Sequence, residues 1–466
     1  METSGLHVDY LIVGAGAMGM AFADTIVTES DRTVAIVDRG ARPGGHWTTA
    51  YPFVRLHQPS SFYGVNSEPL GSDRIDDRGG NEGLYELASG SEVVAYFDQV
   101  LRHTLLPSGR VHYFPMSEYL GGGTFRSLTT GDEYSVTAAK TVDATYMNVT
   151  VPSMGPPTYA VAQGVTCIPP NALTAIVETP SRYVVVGAGK TGVDSCLWLL
   201  DNCVDPDSIT WIMPRDAWYL DRGCIQPGDE FAVAAIGAYA HQFTSAAVAT
   251  SIEDLFERLE ASGALLRLYD GVEPTMYRCA TVTDRELEQL RAITDVVRLG
   301  HVRSIGLDAI ALDDGTIPTD DRAVHVDCSA DGLARRPAVP VFGGDQVTLQ
   351  AVRTCQQVFS AAFIAHVDLV GVDDAAKNRL CAPVPHPDSN IDWMRVTLAQ
   401  ATNAMAWGAD PDLQAWLAGA RLDGFSSIGA RPDPEALALG VQLLEAMPAA
   451  LENLTRLIAE ADAADH

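Results

Sequence analysis

Two stretches of this chain repeat one pattern, "YLIVGAGAMGMA" at residues 10–21 and "YVVVGAGKTGVD" at residues 183–194. Each drives a short apolar run into three glycines at the same spacing, Gly14, Gly16 and Gly19 in the first and Gly187, Gly189 and Gly192 in the second. The first glycine of such a loop permits a tight turn, the second lets an anion approach the backbone, and the third lets the following helix pack on the preceding strand. The helix then points its positive N-terminus at the anion. Two loops of this kind predict two α/β units, each opening as strand, loop, helix and strand. At 466 residues the chain is longer than a single core usually is and has room for both.

Composition narrows the function classes. The net charge of -29 argues against nucleic acid and against anionic membrane surfaces as partners. With 47% hydrophobic residues and no low-complexity run, the chain has ample material for buried cores. Its eight cysteines are widely spaced and form no C-x-x-C pair or zinc-like cluster, so reduced thiols, a cytoplasmic location and no metal site are the expectation. The opening "METSGLHVDY" lacks the basic and apolar regions of a secretory signal, and no stretch approaches a membrane span.

The flanks of the two loops differ in charge. After the first, the helix "MGMAFADTIV" leads to "RTVAIVDRG", a strand ending at Asp38, where a carboxylate can accept both ribose hydroxyls of a dinucleotide. After the second, "SITWIMPRDAW" places Arg215 at the corresponding strand end, which suits a 2′-phosphate and favours NADPH over NADH. A salt bridge between Arg215 and Asp216 is the alternative use. The Lys190–Thr191 pair does not make a nucleotide triphosphatase loop, because the glycine that motif needs is replaced by Val184.

In their order, "GAGAMG", "GGHW" (Gly44, Gly45, His46, Trp47) and "GAGKTG" resemble the flavin-containing monooxygenase group, in which an N-terminal FAD loop and a G-G-x-W stretch precede an NADPH loop. The resemblance implies two Rossmann-like, three-layer dinucleotide-binding domains, with FAD on the first loop and NADPH on the second. It implies FAD contacts at Gly14, Gly16, Ala17, Gly19, Asp38, Arg39, Gly45, Trp47 and Asp345, the last in "VFGGDQVTLQ", where the family places an aspartate on the ribityl chain before a helix expected near Thr348. NADPH would be held by Gly187, Gly189, Lys190, Thr191, Gly192 and Arg215. For Asp345 a simple turn or helix-cap role stays open.

The chain departs from the group where oxygenation chemistry would be defined. The F-x-G-x-x-x-H pattern is absent before the second loop, where the chain reads "YAVAQGVTCIPPNAL", and the segment beside the flavin reads "LHQPS". His57 and Gln58 there are the candidate catalytic residues, since both can donate hydrogen bonds and both follow the G-G-x-W stretch closely; a structural histidine is the alternative for His57. The expected activity is monooxygenation of a small molecule by dioxygen through a flavin hydroperoxide, of N-, S- or Baeyer-Villiger type. A non-oxygenating flavin dehydrogenase or oxidase, and a non-catalytic binding protein, are the alternatives. The domain map expected is a discontinuous FAD domain at 1–165 and 305–385, an NADPH domain at 166–304, and a C-terminal helical extension at 386–466 that docks on the FAD domain, shapes the substrate entrance or mediates a homodimer. Within that extension a helix is expected to stop at Pro448 and resume after it.

Overall fold

In this computed structural model, which describes residues 5–333, 335–424 and 433–464, the apolar runs before the glycines are buried on both faces and therefore form parallel strands. The first unit contains β1 (Leu6–Val13), α1 (Ala17–Glu29), β2 (Val34–Val37), β3 (Val111–Phe114) and β4 (Glu133–Asp143). The second contains β5 (Thr166–Ile168), β6 (Tyr183–Val186), α2 (Lys190–Asp201), β7 (Ile209–Ile212), β8 (Ala217–Asp221), α3 (Ala232–Val248), β9 (Met276–Val282), β10 (Val296–Val297) and β11 (Val324–Asp327). The chain then returns to the first sheet with β12 (Gln346–Thr348) and α4 (Gln357–Leu369), and ends in α5 (Asn390–Gly408) and α6 (Pro434–Ala464).

The parallel strands of the first sheet run β3–β2–β1–β4–β12, and those of the second run β10–β7–β6–β11–β5. In each sheet the strand that enters the glycine loop is flanked on one side by the next strand in sequence and on the other by a strand from much later. That reversal opens a crevice at the carboxyl end of the strand, where α/β sheets bind ligands. Register keeps the strand ends level: Val13 pairs with Val37 and with Asp143, and Val186 pairs with Ile212 and with Asp327. Both loops therefore emerge at the carboxyl edge of their sheets.

Three sequence expectations change and a fourth is extended. Residues 302–327 do not rejoin the first sheet at 305. A hairpin of Val302–Ile305 and Ala309–Leu312 packs on Val184, Val186 and Ile212, and β11 pairs with β6, so this stretch extends the second core. Pro448 does not break α6, which runs through it; its buried residues Ala450, Leu454 and Leu457 share a core with Phe243 and Ala246 of α3, which holds the helix together beyond the proline. Cys279 and Cys355 form a disulfide across 76 residues, so not all the thiols are reduced. The C-terminal helices serve both units: Trp393 of α5 packs on Phe256, while Trp407 of the same helix lies 4.5 Å from Phe363 of α4, centroid to centroid. Among the described residues no helix is long and apolar enough to cross a membrane.

Candidate functional site

The two loops share their geometry at the first and third glycines. Gly14 and Gly187 adopt φ of +105° and +122°, a left-handed backbone that side chains rarely tolerate. A Cβ on Gly19 would stand 2.0 Å from the Gly14 carbonyl oxygen, and one on Gly192 would stand 2.2 Å from that of Gly187. Both α1 and α2 begin on the second glycine, Gly16 and Gly189, without a side-chain cap, so their N-termini stay available to an anion.

At the second glycine the loops diverge. A Cβ on Gly189 would meet nothing within 4 Å, which leaves room for a phosphate. Gly16 instead faces Gly45, whose own Cβ would lie 3.0 Å from the Gly16 Cα, and the Gly44 amide donates to the Ala15 carbonyl at 2.9 Å. The G-G-H-W stretch thus lies directly on the first loop. Asp38 also turns inward, accepting from the Ala15 and Gly40 amides at 2.5 Å each, and burial raises its carboxyl above the usual range. His46 is held down to about 4 by burial alone, so it is neutral at pH 7. Trp47 stacks edge-on to Tyr63 and donates its indole N–H to the Tyr63 hydroxyl at 2.7 Å.

From Gly45 the chain runs directly to the second loop. Six residues on, the Tyr51 hydroxyl donates to Asp194 Oδ2 at 2.6 Å, and Asp194 in turn pairs with Lys190. Both of those residues lie in the first two turns of α2. Phe53 then stacks on Trp198 of the same helix at 5.1 Å. Burial, with the Asp194 charge beside it, pushes the Tyr51 hydroxyl well above its ordinary value. One stretch of chain therefore touches the first loop at Gly45 and the helix of the second at Tyr51.

His57 and Gln58 follow on this stretch but face different ways. The His57 carbonyl accepts from Arg222 and Thr281 of the second unit. Burial, reinforced by the nearby Lys190 and Arg222 charges, keeps its imidazole neutral. Gln58 lines a cavity of about 220 Å³ between the second unit and the C-terminal helices, together with Tyr239, Trp393 and the Cys279–Cys355 pair.

Three expected contacts land elsewhere. Asp345 occupies an exposed turn between Phe342–Gly343 and β12, at the amino end of β12, whereas the crevice lies at the carboxyl end, level with Thr348 and Asp143. The turn role replaces the ribityl role, and the helix expected near Thr348 begins only at Gln357. Arg39 is an exposed residue paired with Glu118 at 3.5 Å. Arg215 lies in the turn between β7 and β8, and its guanidinium donates to Asp388 Oδ2 at 2.8 Å and to the Thr275 carbonyl at 2.5 Å. Asp216, the alternative partner, is taken by Arg298 through two bonds of 2.8 Å. Asp388 also receives Arg278 and Arg335, and although burial opposes it, these bonds hold its carboxyl well below the usual range.

Sequence reasoning missed Tyr51, Asp194 and Asp388. Asp194 had a local signal, an acid one turn after Lys190 on the same helix face. Tyr51 and Asp388 had none, because their partners are brought close only by the fold.

Residues 12–62 match the family described as NAD(P)-binding Rossmann-like domain. The Mycobacterium tuberculosis protein Rv2000 is 58% identical over 419 residues, spanning 90% of this chain and 78% of that protein. A probable FAD-binding monooxygenase from Acinetobacter baylyi is 32% identical over 97 residues, 20% of this chain and 17% of that one. A flavin-containing monooxygenase structure from Stenotrophomonas maltophilia aligns over 76% of this chain and 88% of its own, at 16% identity and a TM-score of 0.41. On the extent and identity of the mycobacterial match, the chain belongs to the family of Rv2000, with a Rossmann-like domain at its N-terminus.

Proposed function

We propose that this protein is an FAD-dependent, NADPH-using monooxygenase that acts on a small molecule with dioxygen as co-substrate. The observation that supports it most is the stretch from Gly45 to Tyr51, which packs on one glycine loop and bonds to the helix of the other, so that nucleotides on the two loops share one wall. Bound flavin supplies the redox chemistry and oxygen activation. The protein's task is to hold the two nucleotides against that wall and keep water out.

In this reading Gly14, Gly16, Ala17 and Gly19 seat the FAD pyrophosphate, with Asp38 beside the ribose and Gly45 and Trp47 closing over it. Gly187, Gly189, Lys190, Thr191 and Gly192 seat NADPH, whose phosphates approach at Gly189. Arg215 takes the 2′-phosphate by releasing Asp388, which keeps Arg278 and Arg335. His57 is neutral at pH 7 and can donate one hydrogen bond towards the reacting centre, while Gln58 faces the cavity where a substrate would sit.

A non-oxygenating flavin dehydrogenase or oxidase is the second reading, favoured by the missing F-x-G-x-x-x-H pattern. The FAD-loaded protein, reduced by NADPH without air and then exposed to air, separates the two. Monooxygenation gives a lag before the oxidised flavin spectrum returns, with slow release of peroxide. Immediate return of the oxidised spectrum with stoichiometric peroxide overturns the first reading.

A further inference from the structure

Cys279 lies where β9 slips out of register with β8. Trp218 pairs with Tyr277 and Leu220 with Thr281, so three residues of β9 oppose the single residue Tyr219, and Cys279 takes up φ of +56° inside this bulge. Cys355 has the same φ of +56° in the turn just before α4. A left-handed backbone is unfavourable at a residue with a side chain, and such positions and bulges recur where a side chain must be aimed at a functional site. Both backbones are bent so that the two sulfurs meet, and both cysteines line the cavity that Gln58 faces.

The two sulfurs are not equivalent. Cys279 is buried at 6% exposure, while Cys355 is half-buried. The His386 imidazole lies beside Cys355, Nδ1 3.8 Å from Sγ, and the N-terminus of the 13-residue helix α4 begins two residues later. Burial and the Arg278 charge hold the His386 pKa down to about 4, so the ring is neutral and able to accept a thiol proton, while the helix N-terminus favours the thiolate.

We propose that Cys279 and Cys355 form a reversible dithiol–disulfide site that exchanges with a low-molecular-weight thiol entering the cavity. The incoming thiolate attacks Cys355 Sγ, the S–S bond breaks, and Cys279 leaves as a thiolate that takes up a proton. A second thiol then attacks the mixed disulfide and releases Cys355 as a thiol. Two small thiols are oxidised to one disulfide, and the protein disulfide is reduced to two thiols. Reduction also removes the one disulfide, among the described residues, that links β9 in the second unit to the turn leading to α4 against the first.

The test uses the native folded chain and needs neither flavin nor nicotinamide, so it stands or falls apart from the proposed activity. The protein is equilibrated in buffers of reduced and oxidised glutathione, alkylated without denaturant and mapped by mass spectrometry. Cys279 and Cys355 are expected to become labelled together across the buffer series while the near-UV circular dichroism is unchanged. A pair that stays unlabelled until the protein is unfolded is a structural disulfide, and a pair labelled throughout is no disulfide; either overturns the proposal. Variants fix the attacked sulfur. Cys279→Ser is expected to retain glutathione on Cys355 after exposure to oxidised glutathione, and Cys355→Ser to retain none on Cys279; the reverse pattern overturns the assignment.

Discussion

The two glycine loops are alike where the fold needs them and different where a ligand would touch them. Gly19 and Gly192 are in the same position, each so close to the carbonyl of its first glycine that no side chain fits. Gly16 and Gly189 are not. One is covered by Gly45 and the other faces open space. The third glycine is thus a packing requirement of the strand and helix, whereas the second reports what the loop is prepared to hold. The first loop comes with its lid in place, from Asp38 on the Ala15 amide to the G-G-H-W stretch above it. The second lies open, with its helix tied back by Lys190, Asp194 and Tyr51.

The comparison breaks most visibly at the shared position. Gly19→Ala and Gly192→Ala should each cost about 3 kcal/mol in denaturant unfolding, since the added carbon meets backbone that cannot yield. A mild loss in either would mean that the two loops are not built alike.

Next comes the position where they differ. Gly189→Ala should leave stability within about 0.5 kcal/mol of the parent, as the new methyl touches nothing, while NADPH binding weakens at least about tenfold, or ~1.4 kcal/mol, by calorimetry. Unchanged NADPH affinity would remove the phosphate from that loop.

The link between the loops is worth less. Tyr51→Phe deletes one bond to a carboxylate that keeps Lys190, and should lower stability by about 1 kcal/mol. A second variant, Asp194→Ala, which removes the acceptor, should make the further Tyr51→Phe change nearly neutral, which a double-mutant cycle would measure.

At neutral pH the smallest effect concerns the lid over the first loop. His46 titrates at about 4 in the folded protein, below the usual histidine value near 6.5. The unfolded chain therefore binds the proton more readily between those values, and stability falls as pH drops from about 6.5 towards 4. His46→Gln should lessen the pH dependence of the melting temperature across that window, leaving the part due to the buried His57 and His386, and an unaltered slope would mean that the lid leaves His46 in water.

Much of this was legible in the sequence, because the information was local. Runs such as Tyr183–Val186 ending in glycines can only be buried parallel strands feeding helices, and both loops stand where their spacing predicts. What escaped was non-local or ambiguous. "GGD" before an apolar run reads equally as a cofactor contact or as a simple turn or helix cap, and only the pairing of β12 with β4 puts Asp345 in a turn at the amino end of the strand. Pro448 reads as a stop until α3 is seen packed beyond it. Tyr51 and Asp194 are 143 residues apart and Cys279 and Cys355 are 76 apart, and no spacing rule connects residues over such distances.

The central claim is that the two loops hold a flavin and a reduced nicotinamide within reach of one another. Anaerobic stopped-flow mixing of the FAD-loaded protein with NADPH tests it most directly. The account predicts bleaching of the flavin absorbance that saturates with NADPH and is far slower with NADH. A protein that takes up no FAD, or one whose bound flavin NADPH leaves oxidised, would contradict it.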